Sequence, residues 1–150
     1  MAWVSPTGHV AGIWSYEERA YDEDTDTYAY VSVSPEYWSD PLELTHDAIN
    51  CDKIRFNAYS DYPIDYISIE AYYEDGWHAV YEGLYASHTW VEKPIPAGEK
   101  SVTAIRIMFW NDDAEEWVEA WFYEFDFWEV EVPPPVYTPR HSGTVGVLMI

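Results

Sequence analysis

Apolar and polar residues alternate with period two along much of this chain, and no long stretch repeats at helical spacing. In CDKIRFNAYS, Ile54, Phe56 and Ala58 fall on one face and Lys53, Arg55 and Asn57 on the other. In DYISIEAYY, Ile67, Ile69, Ala71 and Tyr73 alternate with Ser68, Glu70 and Tyr72. EDGWHAVYEG follows, with Asp75-Gly76 as a hairpin-turn signal. In KSVTAIRIMFW, Ile105, Ile107 and Phe109 alternate with Arg106 and Met108. The last long run, WVEAWFYEFDFWEVEV, changes phase: Trp121, Tyr123, Phe125 and Phe127 share one face, and the apolar set then moves to Trp128, Val130 and Val132. Either a bulge near Phe127 shifts the register, or the strand is buried on both faces at its middle. Turn residues at Pro35 and around positions 61–63, 94–98 and 111–113 punctuate the runs. Short strands with regular turns predict an all-β fold, an antiparallel β-sandwich of jelly-roll type. There is no internal repeat.

The pattern places one β-sandwich domain over residues 1–132, and VPPPVYTPR then breaks it. Three consecutive prolines make a stiff polyproline-like spacer. HSGTVGVLMI follows and ends in a short apolar, strand-like run. An isolated strand of this kind is not stable alone. The segment 133–150 is therefore expected either to pack back on its own domain or to pair with a neighbour's sheet edge.

Composition narrows the function. A chain of 150 residues has room for a sizeable core, and 48% hydrophobic with 19% aromatic residues excludes a disordered chain. The formal charge of -21, with only 7 Lys plus Arg, repels phosphate, so nucleic acid and anionic membrane are excluded as partners. The same charge attracts divalent cations. Cys51 is the single cysteine, so no intrachain disulfide forms, and its alternating surroundings mark it as a buried small hydrophobe. MAWVSPTGHV lacks the basic and apolar regions of a secretory signal, and no run approaches about 20 apolar residues, so no membrane insertion is expected. The expected location is extracellular or on a virion surface, reached without a signal peptide, with the chain cytoplasmic before assembly. No G-x-S-x-G, H-E-x-x-H, P-loop or Cys/His metal pattern occurs, and the 5 histidines are scattered. Among 28 acids, neighbouring carboxylates arise by chance, so they do not point to glycoside hydrolysis. The chain reads as non-catalytic.

One acidic stretch stands out, RAYDEDTDTYAY, with Asp22, Glu23, Asp24 and Asp26 close together. An EF-hand loop fails here, because Thr27 stands at its Gly position and Val33 where its last Glu belongs. AYDEDTDTYA instead resembles the A-x-D-G-x-x-x-T stretch of galactose-binding-like β-sandwiches, the superfamily of discoidin domains, coagulation-factor C-terminal domains and many bacterial carbohydrate-binding modules. DKIRFNAY looks like the core strand of that superfamily, ISIEAYYEDGWHAVYEG like its D-G-x-W hairpin, and SVTAIRIMFWN and EAWFYEFDFWEV like its closing strands. The resemblance spans roughly residues 10–132 and implies a structural calcium ion. Its ligands would be the Ala20 carbonyl, Asp22, Asp24, Thr27, the Ala120 carbonyl and Glu124. Calcium takes six to eight hard oxygens of these kinds, and it would neutralise Glu124, a carboxylate set among aromatic residues. Pairing of Glu124 with Arg19 or Arg106 is the alternative. The usual Gly after the first Asp is Glu23.

Carbohydrate-binding members of the superfamily use loops at one end of the sandwich. The loop aromatics here are Tyr37, Trp38, Tyr59, Tyr62, Trp90, Trp110 and Trp117, with His88 and Asn111 as hydrogen-bond donors. Arginine, common in galactose sites of that fold, is absent from these loops. Two functions follow. The first is a calcium-stabilised structural or adhesive subunit of a virion or extracellular assembly, a homo-oligomer or filament in which residues 136–150 contact a neighbouring subunit. The second is a lectin-like module that recognises cell-surface or matrix glycans through its loop aromatics.

Overall fold

The structure, a computed structural model, describes residues 1–130. The expected domain boundary at residue 132 and the tail at 133–150 lie outside the described residues. Among the described residues ten strands form: β1 (Ala2–Val4), β2 (Gly8–His9), β3 (Ala29–Val33), β4 (Tyr37–Trp38), β5 (Leu42–Ala58), β6 (Tyr66–Tyr73), β7 (Gly76–Leu84), β8 (Val91–Pro94), β9 (Lys100–Asn111) and β10 (Val118–Glu129). A short 3-10 helix, Glu17–Tyr21, is the sole helical element among the described residues. Every strand pairing is antiparallel, in the order β1-β10-β5-β9-β6-β7, with β2 and β8 on β5, β3 on β10 and β4 on β9. The fold is an antiparallel β-sandwich.

β5 belongs to both layers. Its first half pairs with β9, Leu42 opposite Ile107 and Leu44 opposite Ile105. Its second half pairs with β10, Phe56 opposite Phe125 and Ile54 opposite Phe127. The ladder with β9 breaks between Thr45 and Ile49, where such an irregularity lets a strand bend from one sheet into the other. The two layers meet on aromatic rings, Phe109 of β9 standing edge-on to Phe122 of β10 with centroids 6.4 Å apart. Ile54, Phe56, Ile67, Ile69, Ile105, Ile107 and Phe109 are all fully buried, as their period-two pattern predicts. Cys51 is buried and free.

Two details differ from the sequence pattern. The β6-β7 turn is Glu74-Asp75, with φ 51° and 61°, and Gly76 pairs with Tyr73 instead of turning. Both turn residues left-handed is the type I′ form of a two-residue hairpin. Register decides which two: Tyr73 stays in the ladder because its ring is buried in the core. The β10-β5 ladder is irregular twice: at Tyr123, where Phe122 faces Ala58 and Glu124 faces Asn57, and next to Phe127, where Trp128 faces Lys53 and Glu129 faces Cys51. The extra residue at Tyr123 puts Phe122, Phe125 and Phe127 on the core face together, so Trp121 and Tyr123 do not share a face with Phe125 and Phe127. The strand is also buried on both faces, since Tyr123, Glu124 and Asp126 are all less than a tenth exposed.

The outer face of β5 and β10 carries one well-made ion pair. Asp126 lies directly across from Arg55, whose Nε and Nη2 donate to its Oδ2 at 2.8 and 2.7 Å. Ser5 Oγ donates to the other oxygen at 3.3 Å. The rings of Trp90 and Trp3 cover the guanidinium, with centroids 3.9 and 4.5 Å from its carbon. Burial raises the Asp126 pKa and the Arg55 bonds work against that. Arg55→Met should cost about 2 kcal/mol by leaving a buried carboxylate unpaired, and adding Asp126→Asn should restore part of it; urea midpoints of the three proteins check this.

Candidate functional site

At one end of the sandwich four residues stand in a row across four strands. Trp38 of β4 pairs with Trp110 of β9, Trp110 with Tyr66 of β6, and Tyr66 with Leu84 of β7. Side chains of directly opposed residues project from the same face of a sheet. Their chain neighbours Phe109 and Ile67 fill the core, so this row faces outward. Trp38 and Trp110 are edge-to-face at 5.5 Å, and Trp38 lies 6.0 Å from Tyr66. The loop 59–65 closes the end and adds Tyr62 and Asp65, and the loop after β9 adds Asp112. These seven residues line an open cleft of about 570 Å³. Trp38 and Trp110 also wall an adjoining hollow of about 390 Å³ beside Tyr37.

Hydrogen bonds hold the cleft in place. The Tyr85 hydroxyl donates to the carbonyls of Tyr59 and Ile64, which pins the 59–65 loop. The Asp112 N–H donates to the Pro63 carbonyl at 3.0 Å and joins the two loops. Trp110 Nε1 donates to Asp112 Oδ1 at 3.3 Å, and the Tyr66 hydroxyl donates to Glu82 at 3.1 Å.

The structure brings Trp38, Tyr62 and Trp110 together, with Tyr37 on the adjoining hollow. Trp117 is exposed in the loop before β10. Asn111 is fully buried: its Nδ2 donates to the carbonyls of Val33 and Glu116, and its Oδ1 accepts from Asp113. It braces the loop and has no donor to offer a ligand. Tyr59 packs on Trp121 at 5.1 Å, and His88 stacks on Tyr123 at 4.2 Å with its ring nitrogen 2.8 Å from the Thr25 carbonyl. Trp90 covers Arg55. Tyr66, Leu84, Asp65 and Asp112 were not among the residues singled out from the sequence. Tyr66 lies in the alternating run DYISIEAYY and Leu84 just beyond EDGWHAVYEG, and only register places them beside the two tryptophans.

The acidic loop folds against β10 away from this cleft. Thr27 Oγ1 donates to Asp22 Oδ2 at 2.6 Å, the Asp24 N–H to Asp22 Oδ1 at 3.1 Å, and the Asp26 N–H to Asp24 Oδ1 at 2.8 Å. Glu23 takes φ 62°, the left-handed region that favours glycine, so a Glu at the usual Gly position still makes the turn. Its N–H donates to Glu124 Oε1 at 3.1 Å. Glu124 is 1% exposed, and its Oε2 has no hydrogen-bond partner. Ala20 and Ala120 are fully buried. Arg19 lies over Tyr16 and Arg106 bonds Glu70, so neither pairs with Glu124. Burial pushes Glu124 up to about 9; the Glu23 N–H opposes this and the Asp22 carboxylate adds to it. Among the described residues no group of three or more His, Cys, Asp or Glu side chains forms a metal cluster.

The comparisons with known proteins agree with this architecture. No family model matches the chain, and no curated protein matches it. Solved structures do. The CBM32 module of AlyQ in complex with 4,5-unsaturated mannuronic acid is 13% identical, with a TM-score of 0.64 over 87% of this chain and 100% of the module. An F5/8 type C domain from Bacteroides fragilis is 14% identical, with a TM-score of 0.59 over 87% and 98%. The chain has the galactose-binding-like fold. A chitosan-binding module of a chitosanase/glucanase from Paenibacillus sp. IK-5 is 15% identical, with a TM-score of 0.53 over 85% and 92%. In truncated AlyQ such a module accompanies an alginate lyase domain.

The buried glutamate generates a pH prediction. In metal-free buffer the folded chain holds a proton on Glu124 that the unfolded chain, with the ordinary value of 4.5, releases. That contribution to stability is present at acidic pH and lost as pH rises toward about 9. Melting midpoints measured with a chelator should fall less with pH in Glu124→Gln than in the native chain.

Proposed function

We propose that this protein is a non-catalytic carbohydrate-binding module that takes a sugar in the cleft between Trp38, Tyr62, Tyr66 and Trp110. The observation that carries the reading is the cross-strand row, which turns aromatic rings outward at the loop end of the sandwich. Aromatic faces stack on the C–H faces of sugar rings, and the carboxylates of Asp65 and Asp112 accept hydrogen bonds from hydroxyls. Glycan ligands in the names of structurally similar modules support it. Trp38→Ala should weaken glycan binding at least about tenfold, the equivalent of one lost ring contact, while the chain stays folded by circular dichroism. A glycan array probed with both proteins decides this; equal signals from the two, or none from either, would remove the cleft from the reading.

The same reading carries a structural calcium ion. The oxygens that would hold it are the Asp22, Asp24 and Glu124 carboxylates, the Thr27 hydroxyl and the carbonyls of Ala20 and Ala120. Support comes from the unpartnered Glu124 oxygen, which faces an acidic loop built from oxygen donors. Bound there, the ion supplies positive charge and ties the loop to β10. At a hundred times its dissociation constant calcium should add about 2.7 kcal/mol to stability. Thermal melts with calcium and with a chelator should show that gain in the native chain and lose it in Glu124→Gln. The reading of the chain as an assembly subunit rests on residues 136–150, outside the described residues.

A further inference from the structure

We infer that the loop-end cleft selects a cationic amino sugar, a glucosamine unit with a free ammonium group, over neutral and acidic sugars. The inference rests on the carbohydrate-binding reading and adds the ligand's charge to it.

The protein's own cations show the chemistry. Residues 1–130 hold six of the 7 Lys and Arg side chains, Arg140 being the other. Each of the six lies over an aromatic ring, 3.8 to 5.7 Å from its centroid. Lys53, Arg55, Lys100 and Arg106 are also paired with a carboxylate. Arg106 is typical, held between Glu70 at 2.6 Å and the Trp77 ring at 4.5 Å. Rings and carboxylates together hold a cation because the negative ring face and the carboxylate attract it from different sides.

The cleft offers the same partners, with no cation supplied by the described residues. Four aromatic side chains and two carboxylates line it, and among the described residues no Lys, Arg or His does. Asp65 is half-buried, and no described residue donates a hydrogen bond to its carboxylate. Asp112 receives the Trp110 N–H on Oδ1, with Oδ2 left over. Glu82, bonded to the Tyr66 hydroxyl, adds a third carboxylate close by. A neutral sugar offers these carboxylates hydroxyl hydrogen bonds but leaves their negative charge unmatched as water is displaced, which is costly. A uronate would bring a like charge, and the -21 of the chain as a whole opposes it further. An ammonium group on a sugar ring satisfies both halves of the cleft, the ring on the tryptophans and the charge on the aspartates. A volume of about 570 Å³ suits a sugar unit better than a single lysine side chain.

The test is calorimetric titration of the full chain at low salt and mildly acidic pH. The ligands are a glucosamine oligomer, the N-acetylated oligomer of the same length, a mannuronate oligomer and a lysine peptide of matched charge. The glucosamine oligomer should bind at least about tenfold tighter than its N-acetylated form, from the loss of one charge-assisted contact. Added salt should weaken it, and the mannuronate should give no heat. The double variant Asp65→Asn, Asp112→Asn should fold with an unchanged melting midpoint and lose the preference, while Trp38→Ala should lose binding to every oligomer. Equal or tighter binding of the neutral or acidic oligomer overturns the inference and leaves the carbohydrate reading standing. Glucosamine binding that survives Trp38→Ala overturns it in favour of net charge alone, and tighter binding of the lysine peptide overturns it in favour of a peptide ligand. Silence from all three oligomers removes the inference, and the carbohydrate reading falls with it only if the glycan array is also blank.

Discussion

β5 must serve two sheets at once, and most of the molecule depends on how it does so. Its 17 residues pair with β9 in the first half and β10 in the second. β10 and β9 lie on opposite edges of β5, so a straight strand would hold them in one open sheet with its apolar face left in water. The irregularity between Thr45 and Ile49 lets β5 bend, so that its two halves serve facing layers. Phe109 and Phe122 can then meet across the core from opposite layers. The row that forms the cleft follows from the same event, because β9, once paired to β5, carries β4 on one side at one end and β6 on the other.

A chain this acidic needs somewhere to put carboxylates that its strands cannot leave in water. β10 shows two solutions on one buried face. Asp126 takes a guanidinium covered by two indole rings. Glu124, two residues earlier, receives a single backbone N–H and is otherwise unmatched. The difference is register: the residue across from Asp126 is Arg55, and the one across from Glu124 is Asn57. The bulge at Tyr123 sets that register, and it also aims Glu124 at the acidic loop.

Much of the fold was legible in the residues. The alternation in β5, β6 and β9 named the core side chains, since a period of two leaves only one buried set. The fold class followed from short strands and turns. The turn at Glu74-Asp75 was placed one residue late, and the bulge at Tyr123 was missed beside the irregularity near Phe127. Both are decided by which side chain the core accepts, and a neighbouring Gly or a run of aromatics does not report that. Of the loop aromatics, Trp38 and Trp110 were legible as candidates but not as partners, and Asn111 was legible as polar but not as buried.

The sequence by itself determined the strands, their inward faces, the acidic loop and a supply of aromatic rings near turns, because these depend on neighbours one to four residues away. Only the tertiary structure decided which rings work together. Trp38 and Trp110 are 72 residues apart in number and directly opposed in the sheet (110 − 38). Tyr66 and Leu84 join them through two further ladders. A cleft made of cross-strand partners exists only once long-range register is set, and register is a property of the packed sandwich, where one slip would turn every side chain of a strand to the opposite face.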